Sequence, residues 1–180
     1  MTSGETGKIV RKMRVTLTCL DDTRRFGQAL AAAAERCNPG ALLLYGEPGV
    51  GKSTLAAMLT RALPGGEAAE PSSPSFTLCN IYCTVPEIRH FDLYRLPPGT
   101  AVDELAESFD NDAVMTLVEW PENIADCDRP ADGVVVRLSG SGQNGPRSAE
   151  LAALGPKGEM FLRPAPGMTA GNATTGSGTA

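Results

Sequence analysis

The chain has 180 residues, of which 42% are apolar, and a formal net charge of −5 at pH 7. This length suits a single domain, and the apolar share is sufficient to bury a core. The negative charge argues against a protein that binds nucleic acid across a broad basic face. If RNA is involved, we expect a partner to hold it.

The sequence gives no indication of export or membrane insertion. No stretch approaches the roughly 20 apolar residues that a membrane-spanning helix requires, and the N-terminal residues lack the apolar block of a signal peptide. Five cysteines at irregular spacing favour reduced thiols, and with one histidine in the chain a zinc site would lack ligands. We therefore expect a cytoplasmic protein without disulfides and without a membrane-spanning segment.

The first half of the chain is predicted to follow the order strand, helix, strand, helix. Residues 14–19 alternate as in a strand, and Asp21 or Asp22 can cap the helix that follows. Residues 41–46, ALLLYG, form a continuous apolar run, as expected of a strand buried on both faces of a parallel sheet. Residues 52–63 have helical character and are followed by a Pro-Gly-Gly sequence that ends the helix.

The second half is predicted to contain five strands and one short helix. The first two strands are separated by a short turn and would form a hairpin. In chain order these elements are strands at 75–83 and 87–96, a helix at 100–109, and strands at 113–120, 133–139 and 147–154.

The strongest motif is GEPGVGKST at residues 46–54, which satisfies the pattern G-x-x-x-x-G-K-[ST]. It follows a buried-strand pattern and opens a helix. Glycines in such a loop let backbone amides turn inward around phosphates, and the helix N-terminus favours negative charge. Lys52 would neutralise the outer phosphates and Ser53 would offer its hydroxyl to magnesium.

These patterns predict an α/β fold of the three-layer P-loop NTPase type. Its central sheet would be mostly parallel with an antiparallel hairpin, and helices would cover both faces. Composition divides the chain into a flexible leader at 1–13, a P-loop ATPase domain at 14–163 and a disordered tail at 164–180, where Gly, Ala, Thr, Ser and Pro dominate.

A second acid is expected beside the loop, because Ser53 supplies only one protein ligand to magnesium. Asp92 in HFDLYRL and Glu119 in VEWPE both fit. Glu119 ends the more apolar strand, the usual setting for the metal-side acid, whereas Asp92 is better suited to positioning water or sensing the γ-phosphate. An ordinary strand-end carboxylate remains the alternative for each. Trp120 is open to two interpretations, beside the nucleotide or in the core.

Four segments in this order resemble the TsaE family, also called YjeE. They are GEPGVGKST (46–54), SPSF (73–76), HFDLYRL (90–96) and VEWPE (118–122). The resemblance runs from about Val15 to Leu154. Family members are bacterial P-loop ATPases that are needed to form threonylcarbamoyladenosine next to the anticodon of tRNA.

The resemblance assigns roles to individual residues. It implies that Ser53 and Glu119 bind Mg²⁺, that Asp92 supports hydrolysis with Lys52 and Glu119, and that SPSF changes conformation with the nucleotide. It implies ATP binding by Thr23, Pro48, Gly49, Val50, Gly51, Lys52, Ser53, Thr54, Trp120 and Arg147.

The resemblance also implies partners, the proteins TsaB and TsaD. Slow ATP hydrolysis would reset their threonylcarbamoyl-transfer complex, and this protein would contact tRNA only through that complex.

Two other functions would use the same glycine-rich loop. A small-molecule kinase would normally carry a lid with several arginines, and between residues 65 and 135 only Arg89, Arg95 and Arg129 are present. A nucleotide-dependent binding module would bind ATP and ADP without significant turnover.

Overall fold

The structure, a computed structural model, describes residues 9–67, 69, 77–140 and 145–164. The predicted SPSF segment, most of the predicted tail and residues 1–8 of the predicted leader lie outside the described residues. No helix in the described part of the chain is long and apolar enough to cross a membrane.

In the described part of the chain, seven strands form one mixed sheet in the order β1-β7-β6-β2-β5-β4-β3. The four central strands β6, β2, β5 and β4 are parallel to one another, and antiparallel pairs lie at both sides: β3 with β4, β6 with β7, and β7 with β1. The strands are β1 (Ile9–Leu17), β2 (Ala41–Tyr45), β3 (Cys79–Tyr82), β4 (Glu87–Asp92), β5 (Val114–Glu119), β6 (Gly133–Gly140) and β7 (Arg147–Leu154).

Helices cover both faces of the sheet. The helices are α1 (Leu20–Arg36), α2 (Lys52–Ala62), α3 (Asp103–Phe109) and α4 (Gly155–Phe161), and two 3₁₀ turns lie at Pro121–Asn123 and Asp126–Asp128. Buried residues of α1, α2 and α4 share one core with the sheet, and α3 contributes to a second core on the other face. The α/β fold class predicted from the sequence is therefore confirmed.

The central strand β2 is buried on both faces, as its continuous apolar run predicts. Leu42 and Leu44 pack in the core beneath α1 and α2, whereas Leu43 packs in the core beneath α3. All three side chains are at most 4% exposed. Because successive side chains of a strand point to opposite faces, only a strand covered on both faces requires such an unbroken apolar run.

Three local predictions differ from the structure. β1 begins at Ile9, so residues 9–13 lie in an edge strand rather than in the predicted leader; basic residues, such as those in this segment, are common on edge strands. Helix α1 begins at Leu20 with Cys19 as its N-cap, so neither Asp21 nor Asp22 caps it. Instead, the Asp22 carboxylate accepts hydrogen bonds from the backbone amide and hydroxyl of Thr18. Helix α4 was not predicted.

Candidate functional site

The glycine-rich loop connects β2 to α2, as its sequence indicates. Gly51 is the N-cap of α2 and has φ 109°, a conformation that side-chain-bearing residues rarely adopt. At Gly46 a Cβ atom would lie 2.6 Å from the carbonyl oxygen of Leu138 in β6, so the loop can leave the sheet there only without a side chain. These constraints place the start of α2 directly beyond the carboxyl end of β2.

A cleft of about 350 Å³ lies between this loop and the carboxyl ends of β4 and β5. It lies where open α/β sheets bind their ligands. Its walls combine loop residues with residues from the two strand ends: Pro48, Gly49, Gly51, Lys52, Ser53, Thr54, Asp92, Tyr94, Glu119 and Trp120.

Ser53 and Glu119 meet at one side of the cleft. The Ser53 hydroxyl donates a hydrogen bond of 2.8 Å to Oε2 of Glu119, and the other carboxylate oxygen lies 3.0 Å from Nε2 of His90. Glu119 is 1% exposed. Asp92 is the register partner of Glu119 across the parallel β4–β5 pair, so the two predicted acids end neighbouring strands. Oδ1 of Asp92 accepts a hydrogen bond from the Tyr94 amide.

Lys52 is buried and turned toward its own loop. Its ammonium donates hydrogen bonds to the carbonyl oxygens of Gly46 and Glu47, at 2.6 and 3.1 Å, and lies 3.7 Å from the centre of the Trp120 ring. Burial lowers the pKa of Lys52, and the negative charge of Glu119 opposes that shift. Phosphate oxygens in the cleft would offer this ammonium a stronger partner than carbonyls, because an acceptor of opposite charge adds Coulombic attraction to the hydrogen bond.

Trp120 and Tyr94 form an aromatic wall on the strand side of the cleft. Their ring centres are 4.9 Å apart with a tilt of 45°, a favourable arrangement for aromatic rings. Trp120 has φ 60° and ψ 47°, an uncommon conformation for a residue other than glycine, and strain of this kind clusters at functional sites. Tyr94 was not predicted as a site residue. The available signal was its position two residues after Asp92, because side chains that directly follow such a strand end can line the same cleft.

The structure brings most of the predicted site residues together, with three exceptions. Val50 packs against the core beside Gly46. Thr23 is buried in α1, where its hydroxyl faces the Cys19 carbonyl oxygen at 3.4 Å. Arg147 begins β7 beside the loop, where its Nη1 would lie 3.1 Å from a Cβ at Gly51. None of the three lines the cleft as the described residues define it, and their nucleotide contacts stay predictions.

The oxygen donors fit a magnesium ion better than a transition metal. In the described part of the chain, no group of three or more His, Cys, Asp or Glu side chains is arranged to hold a metal. Magnesium is usually bound by one or two protein oxygens together with phosphates and water. The hydroxyl of Ser53 and the carboxylate of Glu119 match that donor set.

A parallel central sheet with a glycine-rich strand-to-helix loop defines a nucleotide-binding protein of the P-loop class. The crystal structure of YdiB from Bacillus subtilis has the same fold: it superposes with a TM-score of 0.67 at 24% identity, covering 86% of this chain and 93% of that one.

Sequence comparison identifies the family. The family model for "Threonylcarbamoyl adenosine biosynthesis protein TsaE" matches residues 17–148. A relative from Aquifex aeolicus (strain VF5), the tRNA threonylcarbamoyladenosine biosynthesis protein TsaE, is 31% identical over 115 residues, which cover 63% of this chain and 80% of that protein. The chain therefore belongs to the TsaE family, as its four motifs indicated.

Proposed function

We propose that this protein is an ATPase of tRNA threonylcarbamoyladenosine formation, which binds Mg–ATP and hydrolyses it slowly. Its nucleotide state would control contact with the threonylcarbamoyl-transfer complex of TsaB and TsaD, and hydrolysis would reset that complex. Membership of a nucleotide-binding family in this biosynthesis supports the first part of the proposal. The proposal that the protein hydrolyses ATP rests on the geometry of the cleft beside the glycine-rich loop.

The hydrogen bond between Ser53 and Glu119 carries the proposal. These residues are 66 positions apart in the chain, yet their side-chain oxygens are 2.8 Å apart. A P-loop hydroxyl beside a strand-end carboxylate is the arrangement with which P-loop NTPases hold magnesium next to the β- and γ-phosphates. When bound, that ion would neutralise charge on the phosphates.

The remaining residues of the cleft would bind and orient the nucleotide. The amides of the loop and of the α2 N-terminus would donate to phosphate oxygens, and the Lys52 ammonium would leave its carbonyl partners for the outer phosphates. Asp92, 8% exposed at the end of β4, lies beside Glu119 and would orient the attacking water. Tyr94 and Trp120 would limit access of bulk water from the strand side.

The proposed partners, TsaB and TsaD, rest on the family resemblance of the sequence motifs. With a net charge of −5, the chain has little electrostatic attraction for tRNA, so we expect TsaB and TsaD to contact the tRNA and this protein to act on them. Tyr94 lines the cleft and is 60% exposed, so a partner that contacts this residue would lie next to the nucleotide.

The test is the rate of ATP hydrolysis by the purified protein alone and with TsaB and TsaD. We expect a slow basal rate that rises with the partners and is lost in Lys52→Ala and Glu119→Ala. Glu107→Ala is the matched control, because Glu107 is an exposed carboxylate on α3 and does not line the cleft.

Three other results would contradict the proposal in different ways. Parent-like hydrolysis by both site variants would show that the site is misassigned. Binding of ATP and ADP without turnover, with or without partners, would indicate a binding module. Transfer of phosphate to a metabolite would indicate a kinase.

A further inference from the structure

His90 lies directly beneath the proposed magnesium site, and the function proposed above gives it no task. Its side chain is 2% exposed, as is that of Glu119, and its Nε2 lies 3.0 Å from Oε1 of Glu119. A polar side chain this deeply buried is costly unless its contacts compensate for lost hydration. We therefore attribute the presence of a buried histidine at this position to its contact with Glu119.

The imidazole makes this one polar contact among the residues that the structure describes. Its Nδ1 is buried and has no hydrogen-bond partner there. A carboxylate that binds a metal ion is ionised and can only accept hydrogen bonds, so a metal-binding Glu119 requires the hydrogen of this bond to be on Nε2. The orientation of the ring is thus set by Glu119 and by packing, not by a wider hydrogen-bond network.

The two oxygens of Glu119 have different partners. Oε1 accepts from His90 below the cleft, whereas Oε2 accepts from Ser53 at the cleft surface. Without the imidazole, the carboxylate could rotate or turn toward Lys52, whose buried ammonium it attracts. The bond to His90 therefore fixes which oxygen faces the loop.

Strand register explains why β4 supplies this group. His90 and Asp92 are two residues apart, so they lie on the same face of β4. In the parallel pairing Asp92 is opposite Glu119 and His90 is opposite Leu117, one step deeper in the sheet. β4 thus places a carboxylate beside Glu119 and an imidazole below it.

We propose that His90 is a positioning residue, which holds Glu119 in the orientation that binds a divalent cation. Partners that orient a metal-binding side chain commonly contribute 10- to 100-fold to metal affinity. This inference rests on the proposed function, because it requires Glu119 to be a metal ligand. It concerns the orientation of the carboxylate only.

The experiment compares His90→Leu and His90→Gln with the parent protein. Leucine fills the site without a donor, whereas the glutamine amide can donate near the position of Nε2. Mn²⁺ binding in the presence of ADP is measured by electron paramagnetic resonance, and ADP binding in EDTA by calorimetry. Ile88→Val, a small deletion on the same face of β4, is the control for loss of packing.

We expect His90→Leu to weaken Mn²⁺ binding by about 10- to 100-fold while ADP affinity in EDTA stays within about twofold of the parent. His90→Gln should recover most of the loss, and Ile88→Val should bind Mn²⁺ like the parent. A structural role alone would lower both affinities together and would not be rescued by glutamine.

Failure of this inference is distinguishable from failure of the proposed function. Parent-like Mn²⁺ binding by His90→Leu, or an equal loss of ADP affinity in EDTA, would overturn the role of His90 and leave the metal site standing. If the parent itself shows no Mn²⁺ binding with ADP, the proposed function is overturned, and the role of His90 with it. Should His90→Leu fail to fold, a His90→Gln protein that binds Mn²⁺ no better than a His90→Asn protein, whose donor is too short to reach, would overturn the inference.

Discussion

The ammonium of Lys52 lies 3.7 Å from the centre of the Trp120 ring and donates a hydrogen bond of 2.6 Å to the Gly46 carbonyl oxygen. The loop thus surrounds its own lysine with carbonyl oxygens and an aromatic face. Burial removes part of the hydration of this charge and lowers the pKa of Lys52. A phosphate entering the cleft therefore competes for a charge that is incompletely solvated.

Nucleotide binding should change the fluorescence of Trp120, the single tryptophan of the chain. Phosphate oxygens would draw the Lys52 ammonium away from the indole ring, and the emission of an indole depends on nearby charge. Titration with ADP should give a saturable change in intensity or wavelength. Adenosine, which lacks phosphates, should give none. An equal change with adenosine, or with saturating ADP in Lys52→Met, would show that the lysine does not move off the ring.

Ser53→Ala should weaken Mg²⁺-dependent nucleotide binding by about tenfold or more, because a hydrogen bond to a charged group contributes roughly 1.5–3 kcal/mol. The variant loses both the proposed metal ligand and the donor to Glu119. Ser53→Thr keeps the hydroxyl and is the matched control, with affinity close to that of the parent. Calorimetry with and without Mg²⁺ makes the comparison. An alanine variant that loses affinity equally in both conditions would contradict a metal-binding role for Ser53.

The sequence predicts the frame of the site well because single segments determine it. The apolar run of β2, the glycines of the loop and the helical pattern of α2 are local features, and each requires the structure that is seen. The same reasoning predicts Glu119 at a strand end, whereas the strand predicted over 87–96 ends already at Asp92, where Asp92 is the register partner of Glu119. The proximity of Ser53 and Glu119 could be predicted because a magnesium ion bound by Ser53 requires a second oxygen ligand near the loop.

Contacts that depend on strand register could not be predicted from the sequence. Nothing in HFDLYRL says that His90 donates to Glu119, since that follows from a register between β4 and β5 that a one-step slip would destroy. The same holds for the tilt of Tyr94 on Trp120. Helix α4 was missed because it is short, begins with Gly-Pro and contains a second glycine, Gly158. Intrinsic helix propensity alone predicts a loop for these residues.

Cys79 should react more slowly with iodoacetamide than Cys83, four residues along the chain. Burial raises the pKa of the Cys79 thiol from 9.0 to about 11, so at pH 8 it holds about 100-fold less of the reactive thiolate than a thiol of ordinary pKa. Cys83 is exposed. Mass spectrometry of timed reactions at pH 8 reads both sites in one sample, and the difference should disappear in denaturant. Equal native rates would show that β3 does not bury Cys79.

Gly158→Ala separates packing from helix propensity in α4. Propensity alone predicts that alanine stabilises a helix interior by about 1 kcal/mol relative to glycine. In the structure, however, a Cβ at Gly158 would lie 1.9 Å from the carbonyl oxygen of Gly133 in β6, a backbone atom that cannot turn aside.

Overpacking of this kind typically costs about 1–3 kcal/mol, so we expect the substitution to lower the free energy of unfolding and the midpoint of a urea titration. Met160→Ala, at an exposed position of the same helix, is the control and should change stability by less than about 0.5 kcal/mol. The sign of the Gly158→Ala effect decides whether helix propensity or steric overlap dominates. A more stable variant would mean that α4 packs further from β6 than the structure shows. In that case the helix would tolerate Gly158 without requiring it.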